Sequence, residues 1–221
     1  DIQMGFYAMG SHDIVQGTNC PIQDEGNNII AQACYQIAKE LDVEPYDEHT
    51  GKGVLRHIIG RIGESGWMVI LVTATDNLPH QEKWVKNLTK RVPQVETIVH
   101  NVNGKRTNVI LGPKNRILYG DGTITDHIKD LRFTLSPHSF FQVNPEQTTV
   151  LYDQALAYAE LKGDETVIDA YCGTGTISLF LAHKAKHVIG IEIVEPAIIN
   201  ARENARRNGY DNTEFIVADA A

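Results

Sequence analysis

The sequence predicts an α/β chain in two parts, and two patterns support this. From about Pro145 onward, strand-like and helix-like segments alternate with short connections, which is typical of parallel strands joined by right-handed crossovers. Before Pro137, short apolar segments are separated by glycine-rich turns, which indicates antiparallel hairpins combined with helices. We therefore expect a smaller α+β domain over residues 1–137 and the first three strands of a parallel sheet over residues 138–221.

The first part contains two predicted helices and several predicted strands. Apolar residues recur at helical spacing in residues 24–41, which places Cys34 on a buried helix face. A second helix is expected in residues 79–92, because Pro79 introduces it and Pro93 closes it. The predicted strands are "MGFYAM", "HDIVQ", "GVLRHIIGRIG", "WMVILVTATD" and "VETIVHNVNG", followed by a β-rich stretch over residues 117–145.

The second part begins with a predicted helix, "EQTTVLYDQALAYAELK", and then alternates regularly. Pro196 stands at the start of its last helix and Asn208-Gly209 at the end, where a fixed φ and a left-handed φ are respectively favoured. The alternating segments are "TVIDAY", "TISLFLAHKA", "HVIGIEI", "PAIINARENARRNG" and "TEFIVAD". This order predicts a Rossmann-like sheet.

Composition and charge narrow the class of protein. With 42% apolar and 22% charged residues the chain has globular composition, and the formal charge of −8 provides no global electrostatic reason to bind nucleic acid. Residues 1–140 hold 14 basic and 16 acidic residues, whereas residues 141–221 hold 6 and 12, so the acidity belongs mainly to the second part. No apolar run approaches the roughly 20 residues that span a bilayer, and the N-terminal segment lacks the order of a secretory signal. We expect a soluble, cytoplasmic monomer without membrane contact.

The three cysteines do not suggest a disulfide framework or a self-contained metal site. They form no close pair, and Cys20 and Cys34 have no cysteine or histidine partner at zinc-ligand spacing. We therefore expect no metal bound by this chain alone.

The loop in "VIDAYCGTGTISL" is the strongest functional signal. Gly173 and Gly175 allow the backbone to approach a ligand closely, but a third glycine and a P-loop lysine are missing, which disfavours both phosphate-binding motifs. Acidic residues follow the next two strands, at Glu192 and Asp219, and can accept hydrogen bonds from ribose hydroxyls and an adenine amine. The pattern predicts an adenosine ligand without a pyrophosphate, such as S-adenosylmethionine. Another adenosine ligand, or a loop that serves only tight packing, remains the alternative.

Three segments together resemble the RNA (uracil-5-)-methyltransferase family, whose bacterial members modify tRNA and large-subunit ribosomal RNA. They are "SPHSFFQVNPEQ", "VIDAYCGTGTISL" and "IGIEIVEPAIINARENARRNG". The early segment "GFYAMGSHDIVQGTNCPI" is similar to the central domain of that family. The resemblance covers nearly the whole chain and is strongest from Ser136 onward. It implies a class-I methyltransferase sheet, truncated after its first three strands, that uses S-adenosyl-L-methionine.

The resemblance also implies a set of cofactor-binding residues. They are Gln142, Tyr171, Gly173, Gly175, Thr176, Glu192 and Asp219. Tyr171 suits this role because an aromatic face attracts a cation such as the sulfonium. The alternative for Gln142 is a structural role, in which its buried amide ties the linker to the sheet.

The family reaction, as the resemblance implies it, is methyl transfer to C5 of uridine through a covalent cysteine–C6 adduct. The family places this cysteine and a glutamate base in segments that we expect beyond residue 221, so we expect no catalytic residue in this chain and no turnover by it alone. Cys172 is expected to be a packing residue. The chain starts without Met and stops as a third strand finishes, which suggests a piece of a longer protein.

An iron–sulfur cluster is a further implication of the resemblance. In some relatives the position of Cys20 holds the fourth cysteine ligand, while the other three lie in an upstream segment. Because thiolate ligation of such a cluster uses four donors, we expect a [4Fe-4S] cluster only in an intact protein, if Cys20 is a ligand at all.

RNA, ribosomal rather than transfer, is the expected partner. Phe6, Tyr7 and His12 offer rings that could stack on an unpaired base, although they could equally be core residues. Eight basic residues could contact RNA phosphates. Alternatively, their side chains only form a polar surface that faces solvent. The eight residues are Lys83, Lys86, Lys90, Arg91, Lys105, Arg106, Lys114 and Arg116. Two other functions remain open, namely a class-I methyltransferase acting on another base or on protein, and a non-catalytic RNA-binding module.

Overall fold

A computed structural model of the protein describes residues 2–17 and 19–220 and confirms the α/β class. The chain forms two compact units, Asp1–Ile124 and Thr125–Ala221. Thr18, within the segment that resembles the central domain of the family, lies outside the described residues, as do the two terminal residues. The assignment of residues 1–137 to an RNA-facing domain stays a prediction.

The first unit combines a two-stranded hairpin with a four-stranded sheet and two helices. The hairpin is β1 (Gly5–Tyr7) with β2 (Ile14–Gln16), which are antiparallel. The sheet has the order β3-β4-β5-β6. Its strands are β3 (Leu55–Ile62), β4 (Trp67–Thr73), β5 (Val95–Val102) and β6 (Lys114–Tyr119), and the helices are α1 (Glu25–Glu40) and α2 (Gln81–Arg91).

One strand pair of the first unit differs from the expected hairpins. β3–β4 and β5–β6 are antiparallel, but β4 and β5 are parallel. The reason is α2, which buries Trp84 and Leu88 completely and returns the chain to the starting edge of the sheet. A parallel pair needs such a crossover, usually a helix.

The core of the first unit lies between the sheet and the buried faces of α1 and α2. Cys34 is fully buried in it, which confirms its prediction as a core residue, and burial raises the pKa of its thiol to about 12. The main apolar residues of this core are Ile30, Ile37, Val69, Leu71, Trp84, Leu88 and Ile98.

The second unit contains the alternation predicted from the sequence. A small sheet pairs β7 (Ile124–Ile128) with β8 (Leu131–Leu135). A three-stranded parallel sheet follows in the order β11-β10-β9. Its elements are α3 (Pro145–Ala159), β9 (Thr166–Ala170), α4 (Thr176–Ala182), β10 (His187–Glu192), α5 (Glu195–Arg207) and β11 (Thr213–Val217).

Two asparagines, Asn204 in α5 and Asn208 at its C-terminal cap, tie β8 to this helix within the second unit. The buried Asn204 accepts from the Thr134 N–H at 2.9 Å, and Asn208 both accepts from and donates to the backbone of Arg132, at 2.9 and 2.7 Å. No helix in the described part of the chain is long and apolar enough to cross a membrane.

Candidate functional site

The carboxyl ends of β9 and β10 meet at one edge of the second sheet. Ala170, the last residue of β9, pairs with Ile191, and Glu192 ends β10 beside Val217 of β11. The backbone N–H of Cys172 donates to the Ile191 carbonyl at 2.9 Å, which holds the glycine loop against β10. Ligands bind at this edge in open parallel sheets, so its side chains form the candidate site.

The two glycines of the loop have different surroundings. Both adopt left-handed φ values, +55° at Gly173 and +80° at Gly175. A Cβ at Gly173 would meet no atom within 4 Å, whereas one at Gly175 would lie 3.0 Å from the Phe215 ring and 3.2 Å from Ala201. Gly173 therefore leaves open space beside the backbone, and Gly175 allows α4 to pack closely on α5 and β11.

Glu192 is anchored by the backbone around the same edge. Its carboxylate accepts from the N–H of Gly173 at 3.3 Å and from the N–H of Val194 at 2.9 Å. A carboxylate offers about four acceptor positions, so capacity remains for two hydroxyl donors. The side chain is half-buried.

Tyr171 has a strained backbone at the start of the loop. Its φ is +64°, and its side chain is 68% exposed. The left-handed region costs a residue with a Cβ about 1–2 kcal/mol, and such strain is concentrated at functional sites. The exposed ring next to the opening at Gly173 is therefore a feature that packing alone does not explain.

Cys172 lies on the buried side of the loop. It is 5% exposed, and burial, followed by the nearby carboxylates of Asp169 and Glu192, raises the pKa of its thiol to about 12. A thiol with this pKa is protonated at neutral pH and is a poor nucleophile. Asp169 accepts a hydrogen bond from the Ser178 hydroxyl, while burial raises the pKa of the Asp169 carboxyl. The environment of Cys172 favours the packing role.

Two residues that support the loop were not predicted. The Tyr152 hydroxyl lies 3.0 Å from the Thr176 hydroxyl, and its buried ring packs edge-to-face on Phe180. Asn204 donates to the Thr174 carbonyl at 3.0 Å. Neither partner is close in sequence, and a tyrosine or an asparagine on a helix has no local pattern that would reveal such a contact.

Two further predicted cofactor residues, Gln142 and Asp219, lie in other segments of the second unit. Gln142 is half-buried just before α3, in a segment tied to α5 by the hydrogen bond from Asn200 to Ser139 at 3.2 Å. Asp219 is exposed two residues after β11. Cofactor binding by all seven predicted residues stays a prediction.

Cys20 lies in the first unit and is half-buried. Asn28 clamps its backbone, accepting from the Cys20 N–H at 2.9 Å and donating to its carbonyl at 3.3 Å. Among residues 2–17 and 19–220, no group of three or more His, Cys, Asp or Glu side chains could hold a metal ion. Cys20 as one ligand of a cluster in a longer protein stays a prediction.

The eight basic residues predicted to contact phosphates fall into two sets. Arg91 pairs with Glu40 at 2.6 Å, and Lys114 and Arg116 both pair with Asp76. Lys83, Lys86, Lys90, Lys105 and Arg106 are exposed. Phe6 and Tyr7 are 61% and 41% exposed, so neither is a core residue.

The alternating strands, the open glycine loop and the carboxylate that ends β10 define the fold of a class-I methyltransferase. Residues 161–221 match the methyltransferase domain family. The chain is 51% identical to an uncharacterized RNA methyltransferase of Halalkalibacterium halodurans over 98% of its length and 48% of that protein. A second uncharacterized RNA methyltransferase, from Oceanobacillus iheyensis, is 49% identical over the full chain and 49% of that protein.

A solved structure supports the same conclusion. The Pyrococcus abyssi tRNA (uracil-54, C5)-methyltransferase, in complex with S-adenosyl-L-homocysteine, matches with a TM-score of 0.78 and 28% identity over 94% of this chain and 50% of that one. The chain is thus a homologue of RNA methyltransferases, which confirms the resemblance stated above, and it spans about half the length of the curated relatives it matches.

Proposed function

We propose that this chain belongs to an S-adenosylmethionine-dependent methyltransferase that modifies C5 of uridine in RNA, ribosomal RNA rather than tRNA. The observation that carries the proposal is the edge where Tyr171, the opening at Gly173 and the Glu192 carboxylate adjoin. The named RNA methyltransferases among its homologues support RNA as the substrate. The Pyrococcus abyssi enzyme supports the uracil C5 position.

The residues at this edge suit S-adenosylmethionine chemically. The Glu192 carboxylate has acceptor capacity for the two ribose hydroxyls, and the open side of Gly173 leaves room for a ligand against the backbone. The exposed Tyr171 ring offers a π face to a cationic sulfonium. Gln142, Gly175, Thr176 and Asp219 complete the proposed binding set.

The proposed reaction requires groups that we do not assign to this chain. A cysteine thiolate adds to C6 of uracil, which makes C5 nucleophilic, and a general base then removes the C5 proton before the thiolate leaves. When bound, S-adenosylmethionine would supply the methyl group to C5 before this deprotonation and would be released as S-adenosylhomocysteine. With its thiol pKa at about 12, Cys172 does not suit this nucleophilic role.

The cofactor site is tested by calorimetry with S-adenosylhomocysteine on three single variants. Glu192→Ala is expected to weaken binding about tenfold to a hundredfold, because hydrogen bonds to a charged group are worth about 1.5–3 kcal/mol. Cys172→Ser is expected to change binding by less than about threefold. Glu195→Ala, at an exposed acidic residue three positions further on, is the matched control and should bind like the wild type. Equal losses for Glu192→Ala and Cys172→Ser would remove the proposed role of Glu192.

The reaction is tested by trapping the full-length protein on RNA that contains 5-fluorouridine. Fluorine at C5 cannot leave as a proton does, so a C5 reaction through a cysteine adduct is expected to stop as a covalent complex. The adduct should form equally in Cys20→Ser, Cys34→Ser and Cys172→Ser, with ribosomal RNA as the better substrate. Loss of the adduct in Cys172→Ser would overturn the assignment of the nucleophile. Methylation of the RNA without any adduct would favour a different base.

A further inference from the structure

The first unit contains a cavity of about 800 Å³ that the proposed reaction does not use. It lies between the β1–β2 hairpin, α1 and the start of β3, and residues 107–110 contribute a further wall. Its lining residues belong to the first unit alone. Pockets of roughly 300–1,000 Å³ are typical of small-molecule sites, so the cavity has room for a nucleotide.

One wall of this cavity is aromatic. The Tyr7 ring packs edge-on against His12, with centroids 5.3 Å apart, and against His57 at 6.2 Å. Burial lowers the pKa of His57 to about 4, so this ring is neutral at physiological pH and can both donate and accept a hydrogen bond. Phe6, the residue before Tyr7 in the hairpin, also lines the cavity and is 61% exposed.

A buried ion pair fixes the polar groups beside that wall. The Arg56 side chain is 1% exposed and pairs with Glu48 at 2.6 Å, while its guanidinium also donates to the carbonyls of Asn103 and Lys105 at 2.7 and 2.9 Å. Burial, followed by the nearby Glu48 carboxylate, raises the pKa of the Tyr7 hydroxyl. Arg56 therefore holds the acceptor atoms of Glu48 in place beside the Tyr7 ring before any ligand arrives.

A basic segment of the chain leads into one wall of the cavity. Residues 101–116 carry four basic side chains and no acidic one, within a chain whose formal charge is −8. Lys114 and Arg116 are held by Asp76, but Lys105 and Arg106 are exposed in the loop that leads into the cavity wall. A phosphate is the complementary charge for this rim.

We infer that this cavity binds one unpaired nucleotide of the RNA substrate, with its base against Tyr7 and its phosphate towards Lys105 and Arg106. The inference rests on the proposed function, because it takes RNA as the partner. Proteins recognise unpaired bases by stacking on aromatic side chains and by hydrogen bonds to base edges. The aromatic wall, the fixed carboxylate and the basic rim supply these three elements together.

The test is photo-cross-linking of the full-length protein to short single-stranded RNA that carries 5-iodouridine at successive positions. Irradiation joins the iodinated base to an aromatic ring in stacking contact, and peptide mapping identifies the residue. We expect the cross-link in the hairpin peptide, at Tyr7. Tyr7→Leu should abolish it and weaken RNA binding about tenfold, within the range for loss of one base–aromatic stack.

Two further variants separate stacking from a structural effect. Tyr7→Phe keeps the ring and should keep both the cross-link and most of the affinity. Tyr158→Leu removes an 80% exposed tyrosine in α3 and should change neither. Cross-links confined to other peptides, or equal RNA affinity in Tyr7→Leu and the wild type, would overturn the inference. Displacement of the RNA by free uridine monophosphate at equal concentration would overturn it as well, in favour of a small nucleotide.

The inference and the proposed function fail in different ways. If the protein forms the hairpin cross-link but neither binds S-adenosylhomocysteine nor methylates RNA, the cavity is an RNA site and the proposed function is wrong. If the protein methylates uridine but forms no cross-link in the hairpin, the proposed function is right and the RNA-binding role of the cavity is wrong.

Discussion

Each unit contains one crossover in which a helix joins two neighbouring parallel strands, and the two crossovers differ at their strand ends. In the first unit, β4, α2 and β5 form this motif, and side chains seal the carboxyl ends of the strands. In the second unit, β9, α4 and β10 form it, and a glycine loop leaves the equivalent edge open. The shared topology therefore does not create a site by itself.

The seal in the first unit consists of two buried asparagines. Asn101 makes hydrogen bonds of 2.8 Å with both the N–H and the carbonyl of Gly112, and Asn103 donates to the carbonyls of Val109 and Ile110 at 2.6 and 3.0 Å. These contacts fold residues 103–112 back over the strand ends. The hydrogen-bonding groups of these two asparagines are therefore used within the protein.

The edge in the second unit uses its polar groups differently. Glu192 binds two backbone N–H groups but keeps acceptor capacity, and Tyr171 stays exposed at an unfavourable φ. A strand end thus becomes a candidate site when its side chains are held in place but keep hydrogen-bonding capacity for a ligand. Two substitutions test this difference.

The larger effect is expected for Asn101→Ala, which breaks the seal. Removing this amide takes one hydrogen bond each from the buried N–H and carbonyl of Gly112, which should lower the free energy of unfolding of the first unit by about 3 kcal/mol. Both tryptophans, Trp67 and Trp84, lie in the first unit, so denaturant unfolding followed by tryptophan fluorescence measures this unit. The affinity for S-adenosylhomocysteine under native conditions should not change.

Asn108→Ala, at an exposed asparagine of the same loop, is the control for this change and should cost less than about 0.5 kcal/mol. A loss of similar size in both variants would mean that the seal contributes nothing specific.

The smaller effect is expected for Tyr171→Gly, which relieves the strain at the open edge. Glycine adopts the left-handed region freely but loses more entropy on folding, so we expect a net gain of about 0.5–1 kcal/mol in the stability of the second unit. Hydrogen exchange of the β9 and β10 amides measures this gain. Affinity for S-adenosylhomocysteine should fall at the same time, because the ring is lost.

His80→Gly is the matched control, since His80 has a φ of +58° in the first unit, far in sequence from the glycine loop. It should stabilise the first unit by a similar amount and leave the affinity unchanged. If Tyr171→Gly improves stability without weakening binding, the strained tyrosine has no role in the cofactor site.

The sequence predicted the second unit better than the first for a physical reason. Local rules determine the glycine loop and the alternation around it, because parallel strands with short connections leave few topologies and place Glu192 at a strand end. The direction of β5 depends on how α2 packs through Trp84, and local patterns do not contain that information. The seal by Asn101 and the contact of Tyr152 with Thr176 join residues 11 and 24 positions apart, so they follow from the fold rather than from a motif.

The Asn204 side chain touches two segments at once, and this has a mechanical consequence. One end of its amide holds the backbone N–H of Thr134 in β8, and the other holds the carbonyl of Thr174 in the glycine loop. Because one buried amide binds both segments, a displacement of the glycine loop would stretch or break a hydrogen bond of Asn204. The β7–β8 hairpin and the loop are therefore coupled through this side chain.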